Sequence, residues 1–205
     1  VANNKTMTAA ANKVAGKTIN KLGGGTGALA VKLVSTADDG GINLTTVGGD
    51  ATKTFEVTGN VEFSGTLHGS IKTSVASSQT LTTTAAIANG KTIDGDGSVA
   101  ITALHSTLAA NLGAITAAGG VTAAFDGNGT FTGVLGTTTV TVADDVTMTA
   151  AANKVAGKTI NKSGSGSNNG ALAVKIVSTA DDGAINLTTA GGGSGTATKT
   201  FEVTG

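Results

Sequence analysis

"KTFEVTGNVEFSGTL", residues 53–67, sets Phe55, Val57, Val61, Phe63 and Leu67 on one side of an alternation and Glu56, Glu62 and Ser64 on the other. A period of two belongs to extended backbone with one buried face, so this stretch predicts two half-buried strands around a Gly59-Asn60 turn. The pattern recurs along the chain. "ALAVKLV" (28–34) turns Leu29, Val31 and Leu33 inward, and "INLTT" (42–46) does the same with Ile42 and Leu44. "GTTTVTVADDVTMT" (136–149) reads as two strands broken at Ala143-Asp144-Asp145. Only "MTAAANKV" (7–14) and "STLAANLGAI" (106–115) gather enough Ala, Leu and Asn for a single helical turn.

Composition agrees with a strand-rich chain. The 205 residues include 32 Gly and 37 Thr, with no Pro, Cys, Trp or Tyr, so the core is built from Val, Ile, Leu, Ala and five Phe. Small and β-branched side chains pack well on a pleated surface and lose χ1 freedom in helices. Charged residues make up only 13% and mean hydropathy is positive, which argues against a disordered chain. The 13 basic residues are all Lys and balance 13 acidic ones. Without Arg, and with Lys scattered rather than striped, the chain offers nucleic acid no grip. No apolar run reaches the roughly 20 residues that span a bilayer, so no membrane insertion is expected. The absence of Cys suits an exported protein.

Internal repeats organise the sequence. "VANNKTMTAAANKVAGKTINK" (1–21) returns as "VADDVTMTAAANKVAGKTINK" (142–162). "GALAVKLVSTADDGGINLTT" (27–46) returns at 170–189, and "ATKTFEVTG" (51–59) at 197–205. The offset grows from 141 to 143 to 146, which places small insertions in Gly/Ser-rich loops. A diverged copy, "TLTTTAAIANGKTIDGDGSVAIT" (80–102), lies between them, and "TGNVEFSG" (58–65) matches "DGNGTFTG" (126–133). The division is 1–59, a copy that begins mid-unit; 60–141, a diverged middle copy; and 142–205, a second close copy that ends mid-unit. Units interrupted at both ends predict a segment of a longer protein. Two architectures are weighed for an all-β chain of this kind: a β-solenoid of stacked repeats, favoured by the narrow-core residues and the lack of linkers, and tandem β-sandwich-like modules.

Three triplets resemble the end of a phosphate-binding loop: Gly16-Lys17-Thr18, Gly90-Lys91-Thr92 and Gly157-Lys158-Thr159. That loop needs an earlier Gly and a following helix. Here Ala11, Ala85 and Ala152 occupy the earlier position, and a Gly-rich loop of varying length follows. The triplets therefore predict a turn that opens a strand, with no nucleotide bound.

Asp-rich turns suggest calcium, which takes oxygen ligands on flexible loops. The candidates are Asp38, Asp39, Asp94, Asp96, Asp126, Asp144, Asp145, Asp181 and Asp182. Neither EF-hand spacing nor a tandem Gly-Asp nonapeptide is present, and Asp, Asn and Gly are ordinary turn formers. His68 and His105 are far apart, have no triad partner in sequence and read as surface residues. Paired threonines at Thr6/Thr8, Thr82/Thr84, Thr139/Thr141 and Thr147/Thr149 lie on one strand face each. An ice-binding array needs such pairs in register on successive turns. Their recurrence with the longer unit predicts solvent-facing strand threonines instead.

The rhythm "LTTTAAIANGKTIDGDGSVAIT…LAANLGAIT…VTAAFDGNGTFTG" resembles the Thr/Ala/Gly-rich β-strand repeats of very large bacterial surface proteins: adhesins, S-layer-type proteins and filament-forming extracellular proteins. The resemblance covers nearly the whole chain. It implies secretion to the cell surface or beyond, often through a C-terminal signal or type I route, and in many such proteins calcium binding. The expected function is a non-catalytic structural repeat segment that associates with adjoining repeats or with copies of itself, end to end. The alternative is an adhesin module recognising a glycan or calcium. The Gly/Ser insert at 163–170 carries none of the aromatic residues that stack on sugars.

Overall fold

A computed structural model describes residues 1–163, 170–177, 185–186 and 197–204. In chain order its elements are β1 (Thr6–Ala10), α1 (Ala11–Val14), β2 (Ala28–Leu33), α2 (Thr36–Asp39), β3 (Thr52–Val57), β4 (Val61–Phe63), β5 (Thr73–Val75), β6 (Thr80–Thr84), α3 (Ala85–Ala88), β7 (Ile93–Gly95) and β8 (Ser98–Thr102). They continue as β9 (Val121–Phe125), β10 (Gly129–Phe131), β11 (Thr139–Val142), β12 (Thr147–Ala151), α4 (Ala152–Val155), β13 (Ile160–Lys162), β14 (Ala171–Ile176) and β15 (Thr198–Val203). Two 3-10 turns, Leu44–Thr46 and Leu104–Thr107, lie among them.

The strands form three sheets, of order β1-β2-β3-β5-β7, β13-β11-β9-β8-β6-β4 and β10-β12-β14-β15. Every ladder among the described residues is parallel, as in Thr6 with Ala28, Leu81 with Val99 and Val140 with Ile160. These partners are about 20 residues apart, enough for the crossover that parallel pairing requires. Alternation does what the sequence predicts inside each strand. Phe55, Val57, Val61, Phe63 and Leu67 are all buried, as are Leu29, Val31 and Leu33, and all join one core cluster between the sheets.

The expected all-β class is corrected to α/β. Fifteen described strands pair only in parallel, and four one-turn helices are set between them. The β-solenoid expected with the all-β class is not retained. Tandem β-sandwich modules fail as well, because sandwich sheets are antiparallel. Alanine, the strongest helix former, opens the turns Ala11–Val14, Ala85–Ala88 and Ala152–Val155, whose first and last residues are buried. The first falls within the helical turn expected at 7–14, whereas the turn expected at 106–115 is met only by the 3-10 turn Leu104–Thr107. The turn Thr36–Asp39 adds a fourth, and Ser35-Thr36-Ala37-Asp38 has capping-box spacing. Ser35 Oγ accepts from the Asp38 N–H at 3.1 Å. "INLTT" is likewise a 3-10 turn with Leu44 buried, not a strand.

The Gly59-Asn60 turn joins two sheets, since β3 and β4 are not ladder partners. At this corner a Cβ on Gly59 would sit 1.9 Å from the Val34 carbonyl oxygen, so only glycine lets the chain pass. Asn60 then holds the next turn, its Oδ1 accepting from the Thr80 N–H at 2.8 Å. The matching Asn128 does the same for Thr147 at 2.6 Å.

The sequence repeat and the ladder step have different lengths, and this has a topological result. The corresponding strands β1, β6 and β12 belong to the five-, six- and four-stranded sheets respectively. The middle copy, 60–141, contributes strands to all three sheets: β5 and β7 to the five-stranded, β10 to the four-stranded, and β4, β6, β8, β9 and β11 to the six-stranded.

Candidate functional site

The three Gly-Lys-Thr triplets follow α1, α3 and α4, so they are dispersed with the three copies. In each the helical turn precedes the glycine, the reverse of a phosphate loop. Gly16, Gly90 and Gly157 have φ of +70°, +67° and +67°, with open space where a Cβ would be. Their role is the left-handed backbone that ends the turn. The amides that would face a phosphate donate within the protein: Gly16 N–H to Thr46 Oγ1 at 3.0 Å, Gly90 N–H to the Asn111 carbonyl at 2.8 Å, and Lys91 N–H to that of Ala88 at 3.0 Å. Ile93 and Ile160 then enter strands as buried residues, as the sequence predicts, whereas Ile19 is half-buried and lies outside any strand. Gly90→Ala is expected to lower stability by about 1 kcal/mol through the positive φ, whereas Lys91→Ala leaves it unchanged. Urea unfolding of both variants measures the difference, and a larger loss for Lys91→Ala would reverse the assignment.

The structure separates the Asp candidates. Asp39 is buried, and its carboxylate accepts from Asn12 N–H at 3.0 Å and Val34 N–H at 2.7 Å, tying α1 to α2. Asp38 is exposed on the same turn and bonds the Ser35 hydroxyl at 3.0 Å. Asp94 on β7 pairs with Lys72 at 2.6 Å, and Asp96 is exposed in the following turn. Asp126 pairs with His105 Nδ1. Asp144 and Asp145 sit in the turn before β12, where Asp145 has φ of 55°. Asp181 and Asp182 lie outside the described residues. Among the described residues no three His, Asp or Glu side chains gather around a position for a cation.

His68 is half-buried rather than merely superficial. Its ring stacks on Phe55 with centroids 5.8 Å apart, and Nδ1 accepts from the N–H groups of Ser70 and Ile71 at 3.2 Å each. It helps to roof Phe55. Two surface grooves, of about 410 Å³ beside Phe55 and Lys72 and about 390 Å³ beside Glu62 and Thr82, place no nucleophile against a base.

What distinguishes one region is exposure of side chains that the repeat is built to bury. Met148 is 0% exposed under β10, while Met7, in the same "TMTAA", is 41% exposed on β1. Phe55 and Val57 are 2% and 0% exposed beneath β5, while Phe201 and Val203, in the same "TKTFEV", are 48% and 73% exposed on β15. Among the described residues, β1 and β15 are edge strands of their sheets. Each edge offers unpaired backbone groups beside inward-facing apolar side chains, a template for a further parallel strand. No sequence motif marks this site, because the same residues are buried elsewhere in the chain.

No family model, curated protein or solved structure matches this chain.

Proposed function

We propose that this chain is a non-catalytic structural segment of a secreted bacterial surface, lattice or filament protein, and that it associates end to end with adjoining repeats of a longer chain or with copies of itself. One observation carries the reading: the repeated sequence buries its apolar side chains where a further strand follows it in parallel register. The internal ladder between β3 and β5 gives the geometry of the missing cover, with Phe55 opposite Thr73 and Val57 opposite Val75. A parallel strand laid on β15 in this manner shields Phe201 and Val203, and hydrophobic burial drives the contact. The two edges differ, so the contact is heterologous and propagates as a line rather than closing as a pair. Backbone ladders and one continuous core suit such a body to carrying load. The absence of Cys and the even charge are consistent with an extracellular setting.

Sedimentation velocity over a range of concentrations, with electron microscopy of the same samples, tests the proposal. Linear oligomers that grow with concentration are expected for the wild-type chain. Val203→Lys places a charge on the bare edge and is expected to return the protein to monomers. A wild-type chain that stays monomeric at every concentration sinks end-to-end association.

A further inference from the structure

Among the described residues the three sheets have six edge strands, and four of these are closed from within the chain. The β4 edge is tied to α2, with the Glu62 N–H donating to Thr36 Oγ1 at 2.8 Å. Ile93 on β7 donates its N–H to the Ala114 carbonyl at 3.3 Å and accepts from the Thr116 N–H at 2.9 Å. The Thr132 N–H, next to β10, reaches the Leu108 carbonyl at 2.8 Å, and the Ala197 N–H reaches the Ile160 carbonyl of β13 at 3.4 Å. Among the described residues, β1 and β15 have no such strap. The chain itself contains a joint of the kind that closes both. β12 repeats the β1 sequence "TMTAA", and β10 lies beside it on the side away from β14. In that ladder Thr130 stands opposite Thr149 and Phe131 opposite Ala150, a large ring against a small side chain. Phe131, Met148 and Ala150 are all 0% exposed. β15 carries the same Thr-Phe pair, as Thr200-Phe201.

We propose that β15 of one copy docks in parallel on β1 of a second copy of this chain, in the register of the β10–β12 joint, with Thr200 opposite Thr8 and Phe201 opposite Ala9. The inference rests on the end-to-end reading above and specifies its joint. Both strands then extend parallel ladders already begun, β14 with β15 on one side and β1 with β2 on the other. Phe201, 48% exposed, receives the cover that Ala150 gives Phe131, and Met7, 41% exposed, is enclosed as Met148 is. Lys199 falls opposite Met7, where the internal joint has Gly129 opposite Met148. The counterpart of Lys199 in the first copy, Lys53, donates to the Gly49 carbonyl of its own loop at 2.6 Å, so a charge at this position needs no partner across the joint. A slip of one residue turns Phe201 to the opposite face of the sheet. A slip of two sets its ring against Met7 instead of the small Ala9.

The chain has no Cys, so an introduced pair reads the register without interference. Thr8 and Thr200 are both exposed, and Thr8→Cys combined with Thr200→Cys sets two thiols opposite each other across the joint, within the span a disulfide bridges. Thr8→Cys combined with Thr204→Cys is the control, displaced by four residues or roughly 13 Å along the strand. Each double variant is oxidised at a concentration where the wild type associates in sedimentation, and the products are separated without reductant. The first pair is expected to give a ladder of linked multimers in about tenfold higher yield than the control, because the displaced thiols lie outside disulfide reach. Equal yields from the two pairs in a chain that associates overturn this joint and leave end-to-end association standing. A wild-type chain that stays monomeric at every concentration overturns both.

Discussion

Phe55→Ala is expected to lower the unfolding free energy by about 3–5 kcal/mol, the usual loss for emptying a buried phenylalanine site. The same substitution at Phe201 is expected to cost about 1 kcal/mol, because roughly half of that ring is already in water. The two phenylalanines share the local sequence "TKTFEV", so local propensity cancels from the comparison. What remains is the cover over Phe55: β5 in register on one side and the His68 ring stacked at 5.8 Å. Urea unfolding of the two variants, with the slope checked for constancy, provides the measurement. Equal losses would show that the edge at β15 is already covered in solution. Run at a concentration where the wild type associates, the Phe201 variant is also expected to shift the monomer fraction upward.

The second large effect is Asp39→Ala. Removing this carboxylate leaves the N–H groups of Asn12 and Val34 without their acceptor in a part-buried setting. An unsatisfied buried donor costs about 1–3 kcal/mol, so a total near 3 kcal/mol is expected. For a chain of this length each 1 kcal/mol lowers the melting temperature by roughly 2–4 °C, and the predicted fall is therefore roughly 6–12 °C. Asp38→Ala, one residue away and exposed, removes only a cap interaction and is expected to lose at most about 1 kcal/mol. Calorimetry on the two variants separates the roles. Equal small shifts would mean that Asp39 does not hold the two helical turns together.

Alternation was legible because strand side chains point to opposite faces regardless of what lies beyond them. It identified Phe55, Val57, Val61, Phe63, Leu67, Leu29, Val31 and Leu33 as inward, and all eight are buried. The Gly-Lys-Thr turns were legible for a similar reason: a left-handed glycine and a strand-opening Ile are local features. The α/β class was not read correctly. Single helical turns lack the length to show a helical period, and Ala fits strand and helix alike in a short window.

The candidate site divides in the same way. Asp38 and Asp39 look alike in sequence, but one caps a turn at the surface while the other is buried beneath it, since a turn directs neighbouring side chains to opposite sides. By itself the sequence determined which face of each strand is apolar, where the chain turns, and that the units repeat. Only the tertiary structure decided which strands become neighbours, how the strands of each copy are divided among the sheets, and which identical residues are covered or bare. Side-chain direction follows from the residue's own backbone, whereas coverage depends on a partner strand about 20 or more residues away in the chain.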